Sequence, residues 1–278
     1  MVNLYLGDAL DLLDTTPDES VDLVVTDPPY NSSAIEWDGK DDEWQFKWLE
    51  KVKIKMKEGA SFYMFFAPMN MYGVERWIRQ NLTLKNLIVW HHSNLYSAGL
   101  SYGKDRYKST WDVIFYATKG NKAKHGKNVS QTAYLETGRG FDVIITPQPR
   151  PLLHRAQKPF GVIERFIRCS SNEGDVVFDP FMGVGTTGIV ARFLGRHFIG
   201  FEKNKLYFNI SKARISCIET NKDYRILSTF DKQLWLLLKQ KKENKINDKE
   251  LEIKLRELGV HFTKSVLPPD LFTKQQEN

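Results

Sequence analysis

Residues 21–31 read VDLVVTDPPYN, and this stretch restricts the fold more than any other. An apolar run, Leu23-Val24-Val25, is cut off by Asp27-Pro28-Pro29-Tyr30. A continuous valine-rich run suits a strand covered on both faces, as in a parallel sheet. Neither proline can donate to a ladder, and each pushes the residue before it into an extended conformation, so the strand ends here. The Asp27 and Pro28 carbonyls are then left without strand partners at the carboxyl edge of a sheet, where α/β proteins place their ligands. A carboxylate, a free carbonyl and an aromatic ring suit one task. The first two can accept both hydrogens of an exocyclic amine while Tyr30 stacks on the ring that carries it. A proline-terminated strand followed by an ordinary loop is the plainer reading, and four residues alone do not decide between them.

A second strand-to-loop unit lies downstream. Val176-Val177-Phe178 reads as a buried strand and runs into Asp179-Pro180-Phe181-Met182-Gly183-Val184-Gly185-Thr186-Thr187-Gly188. Gly183, Gly185 and Gly188 satisfy the dinucleotide fingerprint. A helix over 189–194 follows, then a strand over 198–201 with Glu202 at its end. A nicotinamide-dependent oxidoreductase is therefore a real alternative. Asp179 speaks against it, because a carboxylate before the glycine loop repels a pyrophosphate but pairs with an ammonium.

Taken together these motifs resemble the amino-group DNA methyltransferases, which methylate adenine N6 or cytosine N4. Asp27-Pro28-Pro29-Tyr30 looks like their catalytic motif, and the loop from Asp179 looks like their S-adenosylmethionine motif. His154-Arg155-Ala156-Gln157-Lys158-Pro159 resembles the motif that opens the helix before the cofactor strand; Arg155 stands where the family often has proline. The catalytic motif precedes the cofactor motif, as in the permuted beta-type group of restriction-modification enzymes. The match runs over about residues 2–217. The resemblance implies cofactor contacts from Asp8, Ala9, Lys158, Asp179, Phe181, Gly183, Gly185, Thr186, Thr187 and Glu202. Asp8 equally suits a helix N-cap. Tyr207, Ala213, Arg214 and Ile215 continue the family pattern, and an amphipathic helix packed on the sheet explains them without a catalytic role.

The rest of the chain fills in an α/β order. Residues 2–6 read as a strand followed by a helix ending near Leu13. Residues 31–42, with Trp37, read as a loop over the site. Phe46, Leu49, Val52 and Met56 give a helical period over 43–57, with Gly59 as its stop. Strands are expected over 61–67, 84–90 and 111–118, with a loop and helix over 68–81. His91 and His92, being adjacent, share no face and so form no metal pair; they are expected in a loop near the site. Residues 94–110, with Lys104 and Arg106, read as an irregular active-site loop. Pro159 suits a first helical position, and Val162, Ile163, Phe166 and Ile167 then give one apolar helical face.

Residues 119–150 carry six lysines and arginines against two acidic residues. The family has its target-recognition segment here. Lys122, Lys124, Lys127 and Arg139, with Lys104 and Arg106, are the candidate DNA contacts, giving affinity more than sequence. Residues 221–278 lie outside the match, with 12 basic against 9 acidic residues. They suggest two helices around 234–238 and 251–258, a tail without order after Pro268-Pro269, and a role in packing on the catalytic domain or on a second subunit.

Composition sets wider bounds. A net charge of +6 and a pI near 9.1 favour a polyanionic partner. Cys169 and Cys217 form neither a metal spacing nor a disulfide framework, which fits a reducing cytoplasm. No secretory leader is read at the N-terminus, and the uncharged run 62–74 is too short to span a membrane. The expectation is a doubly wound α/β domain with a mostly parallel, Rossmann-like sheet over 1–220, plus a small helical C-terminal appendage over 221–278. The resemblance implies methyl transfer from S-adenosylmethionine to N6 of a flipped-out adenine in double-stranded DNA, with no metal. Cytosine N4 is the nearer alternative and the oxidoreductase the more distant one. A methyltransferase acting on protein glutamine or on RNA, and a non-catalytic DNA-binding module, complete the set. A homodimer, and a restriction endonuclease that shares the site without binding the enzyme, are partners compatible with the resemblance.

Overall fold

The computed structural model describes residues 1–30, 41–93, 109–121, 123, 142–149, 153, 154, 156–221 and 224–260. Residues 31–40 of the loop read over 31–42, residues 94–108 of the loop read over 94–110, Lys122, Lys124, Lys127, Arg139, Arg155 and the C-terminal tail lie outside the described residues, and with them Trp37, Lys104 and Arg106. Asp41 and Asp42 are the N-cap and first residue of a helix rather than part of that loop.

The strands are β1 (Val2–Leu6), β2 (Val21–Thr26), β3 (Met56–Phe66), β4 (Thr83–His92), β5 (Trp111–Thr118), β6 (Val143–Thr146), β7 (Val176–Asp179) and β8 (His197–Glu202). They form one sheet in the order β1-β8-β7-β2-β3-β5-β4-β6. Neighbours pair parallel except around β5, which runs antiparallel to β3 and β4. This is the expected doubly wound, mostly parallel sheet.

All six residues of β2 are buried, as a strand covered on both faces requires. Alternate residues serve opposite faces. Val24, Phe62, Met64 and Phe66 pack with Trp48, Leu49, Val74 and Ile78 of α2 (Asp42–Lys55) and α3 (Tyr72–Asn81). Leu23, Val25, Tyr63 and Phe65 pack with Ile163, Phe166, Ile189 and Ile215 of α4 (Phe160–Ser170), α5 (Thr186–Phe193) and α6 (Lys205–Asn221). The Tyr63 ring is sandwiched between Tyr116 and Phe166, with centroids 4.5 and 4.3 Å away. β2 connects through α2 to β3 on one side, and β7 connects through α5 to β8 on the other. The carboxyl ends of β2 and β7 thus flank the point where the winding reverses, and such sheets bind ligands there.

Several local expectations are corrected. Gly59 does not stop a helix. The helix ends at Lys55 and the chain enters β3 at once, with Gly59 inside the strand at φ +78°. The β2–β3 register jumps from Val21↔Met56 to Leu23↔Ser61, so β3 carries extra residues in a bulge, and glycine adopts the positive φ this needs. His91 and His92 are the last residues of β4 rather than a loop. His92 is 5% exposed, stacks edge-on against Trp90 and lies 3.4 Å from Asp112. Pro159 is the N-cap of α4, one residue before its expected place. The basic segment 119–150 ends in strand β6, parallel to β4 at the sheet edge, of which only Ile144 is buried.

The C-terminal extension is helical as expected. Its helices are α7 (Tyr224–Lys242) and α8 (Asp248–Glu257), the latter opened by a reciprocal capping box between Asn247 and Glu250.

Candidate active site

Asp27, Pro28, Pro29 and Tyr30 follow the end of β2 directly, and each has its place set by a neighbour. Thr26 turns its hydroxyl toward β7 and donates to Asp179 Oδ1 at 2.9 Å, tying the two strand ends together. The Pro29 carbonyl accepts from Gln45 Nε2 at 2.5 Å. Gln45 is fully buried on α2 and is oriented by Trp48 Nε1, which donates to its Oε1 at 2.8 Å. The Tyr30 carbonyl accepts from Asn70 Nδ2 at 2.9 Å. Asn70 ends the short turn Pro68–Asn70 after β3. Among the described residues the Pro28 carbonyl accepts no hydrogen bond. Among the described residues it is free to receive a donor from outside, whereas the Pro29 and Tyr30 carbonyls are taken. Neither Gln45 nor Asn70 was legible as a partner of the motif, because both act from elements distant in the chain.

The Asp27 carboxylate is fully engaged. Tyr30 Oη donates to Oδ1, and the Lys158 ammonium donates to Oδ2 at 2.6 Å. Lys158 Nζ also lies 3.0 Å from Tyr30 Oη and 3.3 Å from the Ala156 carbonyl. The aromatic rings of Tyr30, Phe65 and Trp90 surround it, with centroids 5.4, 5.1 and 5.8 Å away. Such a cage stabilises a cation. Burial pushes the Asp27 carboxyl up from its ordinary range, while Lys158 and the Tyr30 hydrogen bond pull it down. Lys158, expected among the cofactor residues, is therefore found at the catalytic motif. Its neighbour His154 is pushed down to about 4 by burial and by the Lys158 charge. That keeps the imidazole neutral, and its Nδ1 accepts from the Ala156 amide at 3.2 Å.

The glycine loop lies beside this motif. Asp179, 4% exposed, accepts from Thr26, from Thr187 Oγ1 at 2.8 Å and from the Phe181 amide at 3.1 Å. It therefore organises the loop, which the sequence had read chiefly as a partner for an ammonium. Thr186 and Ala9 are buried at the starts of their helices, α5 and α1 (Ala9–Leu13). Phe181 packs on Trp48 and Trp44 of α2. Glu202 ends β8, where its carboxylate accepts from Asn204 N at 2.7 Å and from the Gly183 amide. Its own carbonyl accepts from Gly7 N at 3.1 Å, which puts the β1 turn alongside. Asp8 in that turn caps α1, accepting from Leu10 N at 3.0 Å. Burial raises both Asp179 and Glu202 to about 7.

This region fits S-adenosylmethionine. A Cβ on Gly185 would come within 2.7 Å of Ser211, so that glycine serves packing. A Cβ on Gly183 would meet nothing within 4 Å, so the loop opens onto free space there, at φ +52°. Three carboxylates, Asp8, Asp179 and Glu202, border the loop and its neighbouring turn. They suit a cationic ligand with hydroxyls and oppose a pyrophosphate. Among the described residues no group of three or more His, Cys, Asp or Glu could hold a metal ion.

The chain matches the DNA methylase family N6_N4_Mtase over residues 21–213. It is 32% identical over 262 residues to the Type II methyltransferase M1.MboII of Moraxella bovis, covering 78% of this chain and 98% of that protein. It is 34% identical over 239 residues to the DNA adenine methyltransferase YhdJ of Escherichia coli (strain K12), covering 75% of this chain and 81% of that protein. Its fold resembles that of the cytosine-N4-specific PvuII DNA methyltransferase, with a TM-score of 0.65 and 21% identity over 94% of this chain and 93% of that one. A match over most of the chain, with the catalytic and cofactor motifs side by side at the sheet's switch point, leaves no place for the nicotinamide alternative: the chain belongs to the N6/N4 family of DNA methylases.

Proposed function

We propose that this methyltransferase modifies N6 of adenine in double-stranded DNA, with Asp27, Pro28 and Tyr30 as its amine pocket. The observation that carries the reading is the Lys158 ammonium on Asp27 and Tyr30. Its N–H groups stand in for those of a target amine and mark the pocket as an acceptor of nitrogen donors. An exocyclic amine is a poor nucleophile because its lone pair is delocalised into the ring. Asp27 and the open Pro28 carbonyl each accept one of its hydrogens and favour a pyramidal nitrogen. Orientation then does more than acid–base strength. The proton that leaves the nitrogen is held at the Asp27 carboxylate. The base reaches this depth only when flipped out of the duplex, and Tyr30 offers it a ring face once Lys158 withdraws. Pro29 and Tyr30 are kept in place by Gln45 and Asn70.

The family's cofactor is S-adenosylmethionine, which when bound supplies an electrophilic methyl group. Asp8, Phe181, Gly183 and Glu202 would hold it. Ala9, Asp179, Gly185, Thr186 and Thr187 would shape the turns beneath it. A carboxyl raised to about 7 keeps its proton in the free protein below that pH. Its contribution favours the fold at low pH and is lost as pH rises through about 7. A cationic, hydroxyl-bearing ligand favours the ionised form. S-adenosylmethionine should therefore bind more tightly at pH 8 than at pH 6, by up to roughly tenfold per group, with proton release. Calorimetry in buffers of different ionisation enthalpy measures this, and Glu202→Gln should flatten the dependence. Equal affinity at both pH values, without proton release, would contradict it.

Adenine is favoured by the form of the motif, with aspartate first, and by the 34% identity to a DNA adenine methyltransferase. The cytosine-N4 neighbour, at 21% identity, bears on the fold alone. We assign DNA contacts to the basic residues of 104–139, with phosphate binding the main effect. We place the enzyme in the cytoplasm; among the described residues no helix is long and apolar enough to cross a membrane. A homodimer and a restriction endonuclease reading the same site remain part of the proposal. The test is nucleoside analysis of plasmid DNA from cells expressing the protein. N6-methyladenine is the expected product, and N4-methylcytosine alone would overturn the choice of base.

A further inference from the structure

The mechanism leaves the C-terminal extension without a task, yet the extension reaches the cofactor loop. α6, α7 and α8 enclose an apolar cluster of Leu206, Ile210, Phe230, Leu234, Leu251 and Leu255. Val184 of the glycine loop, 3% exposed, belongs to the same cluster. A cation sits alongside it. Arg214 of α6 is fully buried, and its Nε and Nη2 each bond one oxygen of Asp231 on α7 at 2.8 Å. Its remaining nitrogen, Nη1, donates to the Val184 carbonyl. The guanidinium carbon lies 5.7 Å from the ring centroid of Phe160, two residues beyond Lys158.

A buried ion pair contributes little net stability over an apolar pair of equal volume, so its value here is geometric. The rigid fork of arginine is fixed by a bidentate carboxylate, which sets the direction of its third nitrogen. That nitrogen holds the carbonyl of the one residue between two left-handed glycines, Gly183 at φ +52° and Gly185 at φ +80°. The neighbouring loop amides are fixed from inside the domain. Met182 N donates to the Phe201 carbonyl at 2.9 Å, and Gly183 N bonds the Glu202 carboxylate. The Val184 carbonyl is fixed from the other side, through α6 and the extension.

We propose that the C-terminal extension positions the cofactor loop, with Asp231 acting through Arg214 on the Val184 carbonyl. The proposal rests on the reading of the glycine loop as the S-adenosylmethionine site. Asp231 and Arg214 are positioning residues and touch no reacting atom. Losing a directed hydrogen bond to a charged group should therefore weaken cofactor binding rather than chemistry.

The test uses the full-length protein in three forms: Asp231→Asn, Arg214→Met combined with Asp231→Leu, and Glu202→Ala as a comparator at the site itself. In the first two the Kd for S-adenosylmethionine should rise roughly tenfold or more. KM for the cofactor should rise with it, while kcat at saturating cofactor and KM for DNA stay within roughly twofold of the unmodified enzyme. The paired apolar replacement should keep a melting temperature close to that of the unmodified enzyme, which separates positioning from general stability. If that protein fails to fold, Asp231→Asn carries the test alone. Unchanged cofactor affinity in folded Asp231→Asn, with weakened affinity in Glu202→Ala, would overturn this proposal and leave the cofactor site standing. Unchanged affinity in every variant, Glu202→Ala included, would overturn both.

Discussion

Replacing Asp27 by asparagine should lower methyl transfer by about 10²–10³-fold or more, the range seen when one directed polar group is taken from a reacting centre. Asparagine keeps the size of the side chain but loses its charge. It also brings an N–H donor to a place where two donors, Tyr30 Oη and Lys158 Nζ, already converge. The amide can accept from one of them and must turn its own N–H toward the other. A target amine then meets a partial repulsion where it should find an acceptor. Binding of S-adenosylmethionine should change little, because Gly183 and Glu202, proposed above to hold it, lie on the β7 loop and on β8. Stability should fall as well, since a buried Lys158 ammonium without its counterion is expected to cost roughly 3–5 kcal/mol. Single-turnover kinetics and a cofactor titration on the same folded preparation check both halves. Near-normal turnover would remove Asp27 from the chemistry.

The second large effect is expected from Lys158→Met, a change that keeps the side chain's length and its fit among Phe65, Tyr30 and Trp90. The ammonium now offsets the burial that raises the Asp27 carboxyl. Without it the remaining groups facing Asp27 act in opposite senses. The Tyr30 hydroxyl lowers its pKa, and the nearby Asp112 carboxylate raises it further. Asp27 accepts most strongly from an amine, and can take up the leaving proton, only when ionised. The acid limb of kcat/KM for DNA should therefore move to higher pH by roughly one to three pH units, the usual influence of one close opposite charge. The stability change has a definite sign. A raised carboxyl favours the fold while it keeps its proton, and that contribution is lost as pH rises through its folded-state pKa. The Lys158→Met protein should thus lose melting temperature, relative to the unmodified enzyme, as pH rises above the ordinary carboxylate range. Cofactor affinity should stay close to normal. If Lys158 instead holds the cofactor, as the family resemblance implies, the result will be the reverse: a raised Kd for S-adenosylmethionine and an unmoved acid limb.

The two predictions show where the sequence is informative and where it is silent. β2 and β7 were legible because each is a short valine-rich run closed by Asp-Pro, and proline ends a strand whatever the tertiary context. Asp27 and Asp179 could be placed at the sheet's carboxyl edge for the same reason, and Glu202 because it ends the apolar run over 198–201. β6 was not legible, since four residues with one buried carry no periodic signal. Gly59 was misread because a glycine after a helical run looks like a cap, and only the β2–β3 register reveals a bulge. The partners of the motif were the hardest to see. Lys158 meets Asp27 across 131 residues, Gln45 meets Pro29 from a helix face, and Asp231 meets Arg214 from an extension beyond the family match. Such contacts are set by the winding of the sheet, and local sequence does not encode them.

The most direct test follows the methyl group itself. Purified enzyme is given duplex DNA and S-adenosylmethionine carrying a deuterated methyl, and the DNA is then digested to nucleosides for mass analysis. The heavy methyl should appear on an exocyclic amino nitrogen, that of adenine, and initial labelling should fall by about 10²-fold or more when Asp27→Asn replaces the unmodified enzyme. A heavy methyl on a ring carbon, or undiminished labelling by Asp27→Asn, would contradict this.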